Sequence, residues 1–185
     1  MWTEAWSSLL SVYGLIFQAL QQLCGEPAQI SAGSLNTAEY FGTWYFIAAA
    51  GEKPSDLQNF TLMDNTIFNL QGEDLPQRLL LRGAIRVGEH CLQKSWTYLI
   101  HTGRDDMELE GRPDRTTNIF QVGCKDCIGL QEITNGGNRI MLYARNATLA
   151  AEQVQMFQFK VACMGMNEFL ILPQEREYCQ FMDAP

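Results

Sequence analysis

Lys94, Trp96, Tyr98 and Ile100 stand at alternate positions of one segment, and Arg139, Met141, Tyr143 and Arg145 do the same in another. Residues two apart share a face of an extended strand, so each set lines one side. Ser95, Thr97, Leu99 and His101 fall on the opposite side of the first strand, and Ile140, Leu142 and Ala144 on that of the second. A guanidinium among Met and Tyr on an inner wall is costly unless an anion meets it. The chemistry such a wall offers is recognition of an anionic group beside an apolar body. The competing reading places these charges outside, in surface ion pairs, and the pattern alone admits both. Catalytic signatures are missing: His90 and His101 are the only histidines, and there is no Gly-x-Ser-x-Gly, His-Glu-x-x-His or phosphate loop. Cys124-Lys125-Asp126-Cys127 lacks the βαβ setting of a thioredoxin-like site, and zinc held by these cysteines with His90 would want a fourth ligand. Neither an enzyme nor a metal or cofactor site is expected.

The elements that would position these residues are strands at short intervals. Gly42 leads into Thr43-Trp44-Tyr45-Phe46-Ile47, a run suited to a strand entered by a sharp turn. Trp44 to Ala50, Phe60 to Leu70, Arg78 to Val87, Lys94 to Thr102, Glu108 to Glu110, Thr116 to Val122, Ile128 to Ile133 and Asn138 to Arg145 read as an up-and-down meander. Hairpin turn chemistry separates them at Gly72-Glu73-Asp74, Gly88-Glu89, Gly103 to Asp106 and Thr134 to Gly137. From Thr148 to Ala162 the period becomes helical, with Leu149, Val154, Phe157 and Val161 on one face. Phe169 to Leu172 supplies a short last strand. Eight antiparallel strands closed on themselves leave room for one small ligand. Trp44 would close one end, with Arg145 lying flat over it.

With 185 residues, 46% apolar and 18% charged, the chain can bury a sizeable core. A net charge of −8 excludes nucleic acid, which is held by clustered Lys and Arg. Residues 1–23 differ from the rest: Leu9 to Leu20 is apolar, too short to span a bilayer and placed like an export signal. Glu4 precedes it without any Lys or Arg, and Gln21-Gln22-Leu23 offers no small-x-small cleavage site, so the segment is expected to stay attached as a lipid-surface anchor. Cleavage at an unrecognised site is the alternative. Residues 24–185 form the domain. Six cysteines behind an export signal read as disulfides, with fifteen connectivities open. Asn59-Phe60-Thr61 and Asn146-Ala147-Thr148 are glycosylation sequons at Asn59 and Asn146.

Gly42-Thr43-Trp44, the eight linked strands, Arg145 at the end of the eighth and the helix after it resemble a lipocalin. Further stretches carry the likeness to a lipoprotein-associated branch of that family: Trp44 to Ala48, Asp64 to Asn69, Glu110 to Asp114, and Leu142 to Arg145. The resemblance implies an all-β, eight-stranded up-and-down antiparallel barrel with one C-terminal helix and a short extra strand. It also implies a secreted monomeric carrier of sphingosine 1-phosphate, held on plasma lipoprotein by the retained N-terminal segment. Its head-group site falls on Lys94, Trp96 and Arg112 for the phosphate with Arg139 nearby, and on Glu132, Tyr143 and Tyr98 for the ammonium and hydroxyl. Lys94 departs from the family's arginine, keeping charge while losing a planar fork. The resemblance pairs Cys24 with Cys163 and Cys91 with Cys179. Gln153 replaces the usual partner of Cys124, so a local Cys124–Cys127 bridge is expected, with free or intermolecular thiols as the alternative. Rival readings are a carrier of a retinoid or fatty acid, and a thiol-dependent isomerase, which some lipocalins are.

Overall fold

The computed structural model describes residues 11–14, 24, 25, 27–73 and 77–182. The expected export or anchor segment lies outside the described residues apart from 11–14, an exposed helical turn. No helix among the described residues is long and apolar enough to cross a membrane.

The described residues form ten strands in chain order: β1 (Gln29–Ile30), β2 (Gly42–Gly51), β3 (Asn65–Gly72), β4 (Arg78–Val87), β5 (His90–Ile100), β6 (Met107–Leu109), β7 (Arg112–Phe120), β8 (Cys127–Thr134), β9 (Gly137–Ala144) and β10 (Glu168–Ile171). Helix α1 (Pro54–Leu57) follows β2, and α2 (Ala151–Cys163) follows β9. Strands β2 to β9 pair antiparallel in sequence order, and β9 pairs back onto β2, so they form a closed eight-stranded barrel. β1 adds to β7 and β10 to β2.

Gly42 enters β2 with φ of +94°, a conformation open to glycine and strained for other residues. From there the faces divide as period 2 dictates. Phe46, Phe68, Leu79, Leu81, Tyr98 and Tyr143 pack inside the barrel, whereas Ile47, Ile140 and Leu142 face outward onto Phe157 and Val161 of α2. Ala48, Ala49 and Ala50 are fully buried, because this part of β2 is flanked by β9 and β10 and covered by packed layers on both faces. The helix begins where the Gln153 side chain accepts the Ala150 N–H, and ends before Gly165 at φ of +84°.

Several boundaries differ from the sequence reading. The strand expected from Phe60 starts at Asn65, because residues 54–62 are helix and turns that bring Phe60 against Phe46. β5 begins earlier, at His90, and β7 earlier, at Arg112, since hairpin pairing extends strands through polar residues that carry no apolar period. α2 starts three residues later than Thr148. β1, α1 and two 3₁₀ turns (Ala32–Ser34 and Thr37–Tyr40) carry too few residues to show a period.

Trp44 and Arg145 meet at one end of the barrel. Trp44 is 5% exposed and its Nε1 donates to the Tyr40 carbonyl at 2.8 Å. The Arg145 guanidinium lies 3.9 Å over the Trp44 ring and donates to the Thr43 and Glu39 carbonyls at 3.0 and 2.9 Å. All six cysteines are paired: Cys24–Cys163, Cys91–Cys179 and Cys124–Cys127, with Cα separations of 5.3, 5.7 and 5.4 Å.

Candidate functional site

The inner wall is assembled by register. β4 and β5 pair Gly83 with Lys94, Leu81 with Trp96 and Leu79 with Tyr98, so the charged end of the β5 row lies at one level and the tyrosine deeper. Gly83 makes room for this: a Cβ there would stand 2.8 Å from the Phe68 ring and 2.9 Å from the Trp96 ring. β8 and β9 pair Glu132 with Arg139, and β7 brings Thr117 opposite Glu132. Together these strands enclose a cavity of about 810 Å³ whose walls include Lys94, Trp96, Tyr98, Arg112, Glu132, Arg139 and Tyr143. Tyr98, Tyr143, Phe68 and Leu81 are shared with a narrow apolar pocket that reaches Trp44 and Tyr40 at the closed end. The result is a greasy bore with a polar mouth.

The charges in the mouth fall into two groups. Glu132, 7% exposed, receives Arg139 through Nε at 2.8 Å and through Nη2, and Arg115 through Nη1 at 3.2 Å. Arg139 also lies 4.6 Å over the Phe60 ring. Lys94 and Arg112 form the second group: both are exposed, and neither makes a side-chain hydrogen bond or ion pair among the described residues. Neighbouring Glu110 is bound by Arg78 at 2.7 and 3.0 Å and so is engaged elsewhere. Burial pushes the Tyr98 and Tyr143 hydroxyls well above the ordinary tyrosine range, and the Glu132 carboxylate adds to it in both. Both therefore stay neutral donors and acceptors at any physiological pH. The cavity wall thus offers two cationic side chains, Lys94 and Arg112, the indole N–H of Trp96 and two neutral tyrosine hydroxyls.

The residues singled out from the sequence thus converge, with two departures. Arg139 faces inward but is committed to Glu132 and does not stand free for a phosphate. Arg115 was missed, although it shares a face of β7 with Thr117 and Ile119; its position just before the strand start read at Thr116 concealed it. Gly42, Trp44 and Arg145 belong to the closed end. No cysteine lines the cavity, and the paired sulfurs leave no thiol for isomerase chemistry. Asn59 is exposed on the cavity wall, and Asn146 is exposed just after β9.

An eight-stranded antiparallel barrel with a late helix, a ligand-sized bore and an arginine stacked on the entry tryptophan defines a lipocalin-type protein. Solved structures agree: rat epididymal lipocalin 12 superposes with a TM-score of 0.65 at 13% identity, covering 82% of this chain and 91% of that one. The siderocalin Ex-FABP, described as having dual ligand specificities, gives 0.63 at 14% identity over 76% of this chain and 97% of its own. A model of the ApoM domain matches residues 1–183. Apolipoprotein M of Mus musculus is 36% identical over 186 residues, and that of Rattus norvegicus 35%, each comparison covering 97% of both chains. The chain belongs to the apolipoprotein M family.

Proposed function

We propose that this protein is a secreted carrier of single-chain lipid phosphates, sphingosine 1-phosphate among them, and that it rides on lipoprotein particles through residues 1–23. The observation that carries this reading is that Lys94 and Arg112, unpaired among the described residues, line the same cavity as Trp96, Phe68, Leu81, Tyr98 and Tyr143. The tail contributes about 0.8 kcal/mol per buried methylene before ordering costs, whatever the head group. Selectivity then comes from the two cations and the indole N–H. Exposed sequons, three disulfides and family membership support an extracellular setting.

The test compares sphingosine 1-phosphate with retinol on the full chain and on Arg112→Ala and Trp96→Ala. Losing a charge-assisted contact of about 1.5–3 kcal/mol should weaken the lipid phosphate by at least about tenfold. Retinol should be indifferent to Arg112→Ala. Equal effects on both ligands would replace the phosphate site with a general apolar one, as a retinoid or fatty-acid carrier would have.

A further inference from the structure

We infer that the outer face of α2 is a second lipid-contact surface: Met156 and Phe159 lie in a zwitterionic phospholipid layer beside residues 1–23 and so fix how the barrel stands on a particle. The inference rests on the lipoprotein reading above. Phe157 and Val161 of α2 are buried against the outside of the barrel, whereas Met156 is 52% and Phe159 40% exposed. Positions 156, 159 and 163 follow at spacings of three and four, so they form one stripe on the side of the helix turned away from the core. Apolar side chains exposed singly need no explanation, but here two stand a turn apart and the stripe runs on into Cys163. Cys163 is bonded to Cys24. The apolar run Leu9 to Leu20 therefore joins the domain at this stripe, with only Gln21, Gln22 and Leu23 between. Three residues span at most about 10 Å, so a surface that holds the run lies within reach of Phe159.

Charge selects the kind of surface. α2 carries one anion, Glu152, and one cation, Lys160, and its remaining polar side chains are Gln153, Gln155 and Gln158. The helix is thus neutral, while the chain as a whole carries −8. An anionic lipid layer would repel such a chain; a zwitterionic one asks for no charge and accepts apolar side chains at its boundary. Two such side chains bind a surface weakly on their own. Tied by Cys24–Cys163 to a segment already held there, they meet it at high effective concentration, and a weak contact is then enough to orient the barrel.

The experiment exposes the full chain, free and bound to phosphatidylcholine vesicles, to hydroxyl radicals, and reads methionine oxidation by peptide mass spectrometry. Met182, 68% exposed and held beside Arg82 of β4, is the internal reference. Vesicle binding should slow oxidation of Met156 at least about fivefold and leave Met182 within about twofold. Met156→Gln with Phe159→Gln should weaken vesicle binding about tenfold, equivalent to about 1.4 kcal/mol, while Ile133→Gln, on β8 and 39% exposed, should leave it unchanged. A vesicle-bound chain whose Met156 oxidises as fast as in solution overturns the inference and leaves the lipoprotein reading intact. Slow oxidation of Met156 without vesicles also overturns it: the face then belongs to residues 1–23 or, where the slowing grows with protein concentration, to a second copy of the chain. Failure of the full chain to bind the vesicles overturns both readings. Because the decisive comparison is made on the unaltered chain, it does not depend on a variant folding.

Discussion

Replacing Arg145 by alanine tests whether the guanidinium over Trp44 is what seals the barrel. Two hydrogen bonds to carbonyls at 3.0 and 2.9 Å are lost, each charge-assisted but half-wetted and so worth about 1 kcal/mol. The stacked contact at 3.9 Å adds about 0.5–1 kcal/mol, giving roughly 3 kcal/mol in all. Burial lowers the Arg145 pKa, with Asp126 opposing the shift, so part of any gain already offsets desolvation and the total is an upper figure. For a chain of this size about 2–4 °C is lost per kcal/mol, so the melting temperature should fall by about 6–12 °C. Arg145→Lys keeps the charge but reaches one carbonyl at a time, and should recover less than half of the loss. Thermal unfolding followed by circular dichroism, with disulfides intact, is the assay. Lipid affinity at low temperature should not change, because Arg145 is not on the cavity wall. A melting temperature within about 2 °C of wild type would refute the role, as would weakened lipid binding in a variant that unfolds normally.

The disulfides should be unequal. Cys24–Cys163 and Cys91–Cys179 close separations of 139 and 88 residues, and Cys124–Cys127 one of 3. The chain-entropy model gives about 4.5–5 kcal/mol for each long loop and about 2 kcal/mol for the short one. Paired serine substitutions followed in urea should show that order, and an equal loss at Cys124–Cys127 would contradict it. Alkaline pH should unfold the barrel from inside. Burial raises Tyr98 and Tyr143 and, with Tyr45 assisting, pushes Tyr178 up to about 12. A folded pKa above the unfolded value means stability that is complete below about pH 10 and lost as the pH rises through the folded values. In a spectrophotometric base titration these hydroxyls should ionise together with unfolding. A smooth titration of every tyrosine near pH 10 in the folded protein would contradict their burial.

Local pattern determined much of this protein. Alternation along Lys94 to Ile100 and Arg139 to Tyr143 assigned those side chains to one wall, because a strand's two-residue period needs no partner to be read. Turn residues marked the hairpins, and the helical period of Val154, Phe157 and Val161 marked α2. Trp44 and Arg145 could be matched across a hundred residues only because their types and places form a recognisable pair. What each charge meets was a different matter. Whether Arg139 is free for a ligand depends on its facing Glu132 across β8 and β9, and that pairing exists only once the hairpin register is set. Arg115 joins them from a third strand. The short β1 and α1 were invisible for a related reason: two or four residues show no period, and only the neighbours they pack against make them regular. Which way side chains point is a local property of the backbone. Which buried charges neutralise one another depends on the register in which β7, β8 and β9 pair, a tertiary property that no single strand's pattern carries.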